Sequence, residues 1–326
     1  MQVKEIPLAS HRQRSVPDFL LLYLKGMAMG VADLVPGISG GTIAWITRIY
    51  TELVESLAAL SPDLLRTLRR EGFRAAWRKM HGTFLLVLLA GVFTSAISLA
   101  GVITHLLDNH PRAVWSLFFG LILISGIFLA TGVGRWRRQE WSGLIGGLCA
   151  GYLITTVSPA TLPFDGPADY WKLLPVGAVA FTAMILPGIS GSFLLLLMGM
   201  YGPIVAAISQ QQVPVLILFT LGGVGGLLLS ARLLRLLLRH HPTSTLAILT
   251  GIMLGSLPRI WPWRVPVTWH TDRHGQLRPL QEIPVLPSTW EHTNGQDAAL
   301  ILCCGLMLAG VLIGFFPWLA RPRSNL

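Results

Sequence analysis

Long apolar runs separated by short basic ones set the pattern of the chain. Stretches without a charged residue run from Phe84 to Leu107, Ala113 to Gly134, Trp141 to Phe164, Leu173 to Ala231 and Ala298 to Ala320. Each reaches or exceeds the roughly 20 residues that cross a hydrocarbon core. The pattern predicts an all-α integral membrane protein. Full spans are expected near Phe84–His105, Ala113–Gly132, Trp141–Val157, Val213–Ser230, Thr243–Leu257 and Ala298–Trp318. Composition agrees, with 52% hydrophobic and 12% charged residues among 326, where a soluble domain carries about a quarter charged. The first 17 residues are polar, contain Lys4, Arg12 and Arg14, and lack the apolar core of a cleaved signal.

The apolar pattern repeats. Pro36-Gly37-Ile38-Ser39-Gly40 returns as Pro187-Gly188-Ile189-Ser190-Gly191, followed by Gly41-Thr42 in one case and Ser192 in the other. Farther on, Gly91, His110-Pro111 and Gly120 match Gly222, His241-Pro242 and Gly251 at one constant offset. The halves are read as residues 1–158 and 159–326. Weak internal symmetry of this kind marks transporter folds.

The net charge of +10 adds orientation rather than a nucleic-acid partner. Lys and Arg crowd the N-terminus, Arg66–Lys79, Arg135–Arg138, Arg232–Arg239 and the tail, so these segments and both termini are expected on the cytoplasmic side of the membrane. Ser158–Asp169, Ser209–Gln212 and the 259–296 loop are poor in basic residues or balanced by acids, and are placed in the periplasm. The first motif lies between two cytoplasmic flanks, so its chain must turn back. Ten residues on each side of Pro36-Gly37 rise about 15 Å, half of a ~30 Å core. Two inverted repeats follow, each a re-entrant hairpin (17–59 and 172–208) and three spans. The first repeat also carries a basic amphipathic helix over 61–80, with Arg66, Arg69, Arg70, Arg74 and Arg78 opposite Leu65, Leu68 and Trp77, suited to anionic membrane lipids.

Candidate chemistry sits at the hairpin tips, Pro36, Gly37, Pro187 and Gly188. A Pro-Gly break within the membrane frees backbone groups that lipid cannot satisfy, so the tip lies in protein or lines a wet cavity. Small, hydroxylated residues open the next half-helix: Ser39, Gly40, Gly41 and Thr42 in one repeat, Ser190, Gly191 and Ser192 in the other. Exposed amides, the positive helix end and hydroxyl donors together suit an anion such as phosphate. Asp33 is the only acid between Gly26 and Thr47, and Met184 takes its place in the second repeat. An intramembrane carboxylate is a candidate proton relay, and a cap that holds the tip together is the structural alternative. No His or Arg adjoins either tip, and the three cysteines and the acids form no metal-ligand or cofactor pattern.

The run from Gly26 to Thr42, with Leu186–Ser192 and Met198-Gly199-Met200-Tyr201, resembles the PopT-type undecaprenyl phosphate translocases along nearly the whole chain. The resemblance implies a flippase without nucleotide hydrolysis, which returns undecaprenyl phosphate to the cytoplasmic leaflet for envelope synthesis. Arg48 departs from the family pattern, which suggests glycine there, as at Gly199. Read as part of a continuous helix, Arg48 is expected to snorkel toward the cytoplasmic interface. A polyprenyl phosphatase and a small-anion carrier stand as alternatives. The phosphatase requires a nucleophile with an acid–base partner, which neither tip offers.

Overall fold

The computed structural model describes residues 15–35, 38–156, 167–271 and 277–319. The chain opens with α1 (Val16–Leu34), which starts behind a capping box in which Asp18 accepts the backbone N–H and the hydroxyl of Ser15 at 2.9 and 2.8 Å. Its 19 residues rise about 28 Å, and the part from Gly26 onward is the arm that leads into the Pro36-Gly37 tip. The chain then reverses into α2 (Gly40–Ile46) and turns again into α3 (Tyr50–Ala59). The tip residues Pro36 and Gly37 fall outside the described residues, as do 1–14 and the junction 157–166 between the proposed halves.

The expected basic helix over 61–80 is two helices, α4 (Pro62–Glu71) and α5 (Phe73–Lys79). Gly72, at φ +84°, bends the chain between them, a conformation that glycine adopts without steric cost. Next come α6 (Gly82–Ser98) and α7 (Ala100–Asn109), then α8 (Pro111–Thr131) and α9 (Arg138–Thr156).

The chain continues with α10 (Leu173–Ile185), α11 (Gly191–Leu197), α12 (Tyr201–Ser209), α13 (Val213–His240) and α14 (Pro242–Gly255). Pro111 and Pro242 each occupy the first helical position after a histidine, where the missing N–H has no intrahelical partner to lose. An antiparallel hairpin follows, β1 (Arg264–Thr271) with β2 (Leu277–Pro284), then α15 (Pro287–Asn294) and α16 (Leu300–Leu319). The described residues are thus overwhelmingly helical, as the apolar pattern predicts, with one two-stranded hairpin within the expected outer loop. There Trp263 is buried, and its Nε1 donates to Ala298 O at 3.0 Å.

Among the described residues, Pro111–Thr131, Val213–His240 and Pro242–Ile260 are each long and apolar enough to cross a membrane. Two bent pairs add further candidates, α5 with α6 and α11 with α12, the latter bent by 114°. Large aliphatic side chains such as Ile97, Leu229, Leu233, Ile301 and Leu312 are exposed, as lipid-facing positions of a multi-pass membrane protein are.

Helices pair closely where glycines let backbones meet. A Cβ on Gly26 or Gly91 would strike the backbone across the α1–α6 seam, and one on Gly177 or Gly222 would do so across α10–α13. Positions advance together along both seams, so each pair runs parallel. The remaining long helices pair across the halves: α9 lies along α14 through Gly147 and Gly251, and α8 lies along α16 through Gly120 and Gly310.

Candidate functional site

The two half-helices α2 and α11 start where the broken segments meet. Ser39 caps α2 with extended backbone, and its Oγ accepts from Gly41 N at 3.1 Å. The same hydroxyl donates across the halves to Met184 O at 2.8 Å. In the reverse direction, Gly188 N donates to Thr42 Oγ1 at 3.0 Å. The Tyr50 hydroxyl adds a third tie, to Ile185 O at 3.1 Å. Ser39, Thr42 and Tyr50 are buried. The backbone carbonyls and amide freed by the second break therefore find partners on the first hairpin, as buried backbone groups must.

The structure thus brings the two motifs into contact, but it spends their donors unequally. In the first tip, Asp33 Oδ1 accepts from Gly40 N at 2.7 Å, Gly41 N goes to Ser39 Oγ, and Thr42 N goes to Ser39 O at 2.9 Å. A carboxylate at a helix start already occupies the place an anion would take. In the second tip, Ser190 Oγ accepts from Phe193 N at 3.5 Å and lies 2.9 Å from Ser192 Oγ. Among the described residues, the N–H groups of Gly191 and Ser192 make no hydrogen bond. Met184, with no charge to offer, stands where the first repeat has Asp33, which is why the two tips differ.

Arg48 does not extend a helix toward the interface. Helix α2 ends at Ile46, and Arg48 takes φ +60° in the turn before α3. Gly199 takes φ +69° at the matching turn between α11 and α12. The glycine expected at this position thus reflects a left-handed backbone, which Arg48 adopts against its steric preference.

One group escaped the sequence reading. Arg259 comes from the 3-10 turn Leu257–Ile260 that follows α14, and Arg264 opens β1. Glu282 of β2 lies 3.1 Å from Arg264 and 3.9 Å from Arg259. The Arg259 guanidinium stacks 4.5 Å from the centre of the Phe193 ring on α11. An arginine therefore does adjoin the second tip, through space rather than through sequence. The mixed charges of the 259–296 loop conceal it, because the pairing depends on the β-hairpin.

The comparisons extend along the same stretch of chain. Residues 29–278 match the family described as VCA0040-like, undecaprenyl phosphate translocase-like. A polyprenyl-phosphate transporter of Vibrio cholerae serotype O1 is 43% identical over 296 residues, covering 91% of this chain and 95% of that relative. A polyprenyl-phosphate transporter of Staphylococcus aureus is 30% identical over 255 residues, covering 73% of this chain and 85% of the relative. No solved structure matches the chain. With both hairpin motifs inside the matched span and homology along nearly its whole length, the chain belongs to the VCA0040-like, undecaprenyl phosphate translocase-like family.

Proposed function

We propose that this protein carries undecaprenyl phosphate across the bacterial inner membrane so that the lipid carrier can be reused, with the phosphate held at the facing starts of α2 and α11. The prenyl tail stays in the bilayer, and only the head group needs a path. The observation that carries this reading is the meeting of the two broken segments, tied by Ser39 to Met184 and by Gly188 to Thr42. Such breaks persist in a membrane only where protein or a wet cavity satisfies them. The names of the two relatives support the substrate class.

An inverted repeat is the architecture that best accounts for the helix pairs. Helices α1 and α6 run parallel, as do α10 and α13, while α8 and α9 each pair with a helix of the other half. The C-terminal part of α13 lies against α3, where Arg239 meets Glu55 at 3.7 Å and Arg232 donates to Leu60 O at 2.6 Å. Because α13 ends on the basic face, its parallel neighbour α10 enters from the opposite one, while α1 enters from the basic face. The two hairpins then reach the site from opposite leaflets. Gly191 and Ser192, whose amides have no acceptor among the described residues, supply the open half of the phosphate cradle. Asp33 holds the other half closed until it is displaced.

The reading is tested in proteoliposomes that carry a labelled polyprenyl phosphate. Carrier activity moves the phosphate out of reach of an external phosphatase without releasing inorganic phosphate. Release of phosphate by the protein itself would make it a hydrolase, and an unchanged accessible fraction would remove the transport function.

A further inference from the structure

Arg259 and Arg264 share a single carboxylate among the described residues, Glu282. Their side chains are only 14% and 6% exposed, and that of Glu282 is 22% exposed. The Nε atoms of both arginines are buried without a hydrogen-bond partner. Burial of two guanidiniums against one carboxylate leaves a positive charge uncompensated, which is costly unless an anion visits the site. Burial also holds the Arg264 guanidinium below its ordinary pKa, an effect Glu282 partly offsets.

The surroundings give the cluster a direction. Arg112, at the start of α8, lies 4.2 Å from the centre of the Trp290 ring. One turn farther along α8, Trp115 carries the Arg264 guanidinium at 4.5 Å. Arg264 Nη1 donates to Arg259 O at 2.7 Å, and Arg259 lies over Phe193. The backbone N–H of Phe193 points to Ser190 Oγ. Three arginines, each stacked on an aromatic ring, thus form a chain from the β-hairpin side of the molecule to the half-helix α11. Stacking fixes each guanidinium plane while leaving N–H edges for an incoming oxyanion.

We infer that Arg264 and Arg259 form a receiving site for a phosphate monoester head group, in which Glu282 is the resident counter-anion that the phosphate displaces on its way to the second hairpin. The inference rests on the transport reading for its substrate. Phosphate matches the cluster because its oxygens accept from two guanidinium edges at once. Glu282 keeps the arginines paired when no lipid is present, and it competes with the ligand for the same edges.

The test is equilibrium binding in detergent, using farnesyl phosphate, farnesol and inorganic phosphate as probes, with thermal unfolding as the control for folding. Wild type is expected to bind farnesyl phosphate and not farnesol. Arg264→Gln should weaken binding at least tenfold, Arg264→Lys should restore part of it, and Glu282→Gln should tighten it several-fold by removing the competitor. Glu282→Gln keeps the test decisive if an arginine variant fails to fold. Wild-type affinity for farnesyl phosphate in both Arg264→Gln and Glu282→Gln would overturn the receiving site and leave the transport reading standing. Inorganic phosphate bound as tightly as farnesyl phosphate, with the same dependence on Arg264 and Glu282, would instead uphold the anion site and count against a prenyl substrate.

Discussion

The carboxylate of Asp33 accepts the backbone N–H of Gly40 at 2.7 Å and so caps the first half-helix from within the same hairpin. This bond unites the two roles considered for Asp33, cap and proton carrier. A phosphate that approaches Gly40 must displace the carboxylate, and an intramembrane carboxylate is a candidate proton relay. Asp33→Asn keeps an oxygen acceptor for Gly40 and should fold and bind lipid normally, while losing the response of transport to an imposed proton gradient. Asp33→Ala removes the cap and should also cost about 1 kcal/mol of stability. Transport measured against gradient in vesicles, with unfolding curves for both variants, checks the pair. A wild-type gradient response in Asp33→Asn would rule the residue out as the coupling site.

Thr42 is the acceptor for a buried amide of the other half, that of Gly188. Thr42→Val preserves shape but strands that N–H, at an expected cost of about 1–3 kcal/mol. Thr42→Ser retains the bond and should lie much closer to wild type. The comparison is made by thermal unfolding in detergent, and equal losses in the two variants would show that the hydroxyl does not hold the hairpins together.

Much of this arrangement was legible in the sequence. The duplicated Pro-Gly-Ile-Ser-Gly motif marked both breaks, and the small residues after it marked both half-helix starts. The bonds between the tips were not legible, because they join Ser39 and Thr42 to backbone atoms of residues about 145 positions away, and backbone acceptors leave no trace in side-chain identity. Periodicity also joined α4 to α5, since a helical pattern continues in phase across Gly72 while its positive φ does not appear in a hydropathy profile. The Arg259, Arg264 and Glu282 cluster was hidden for a third reason. Its members come from a 3-10 turn and two paired strands, and strand register sets contacts that residue spacing alone does not specify.

Gly188 and Gly225 should respond oppositely to alanine. Gly188 takes φ +88°, and a Cβ there would lie 2.6 Å from Met253 Cα. Left-handed strain alone costs about 1–2 kcal/mol, and the clash with backbone adds to it. Around Gly225, inside α13, a Cβ meets nothing within 4 Å, so alanine should stabilise the helix by up to ~1 kcal/mol. Unfolding temperatures of Gly188→Ala and Gly225→Ala should therefore move in opposite directions from wild type.

The central claim, that the phosphate of the lipid rests at the start of α11, is tested most directly by the charge at Ser192. Ser192 is in the first turn of α11 after the cap Ser190, where an acid favours the helix and repels an anion. Translocation of labelled polyprenyl phosphate should be measured in vesicles containing wild type, Ser192→Asn and Ser192→Asp, with unfolding temperatures alongside. The account predicts that Ser192→Asn transports within a few-fold of wild type, whereas Ser192→Asp unfolds no earlier yet loses at least tenfold in rate. Transport by Ser192→Asp at the wild-type rate would contradict it.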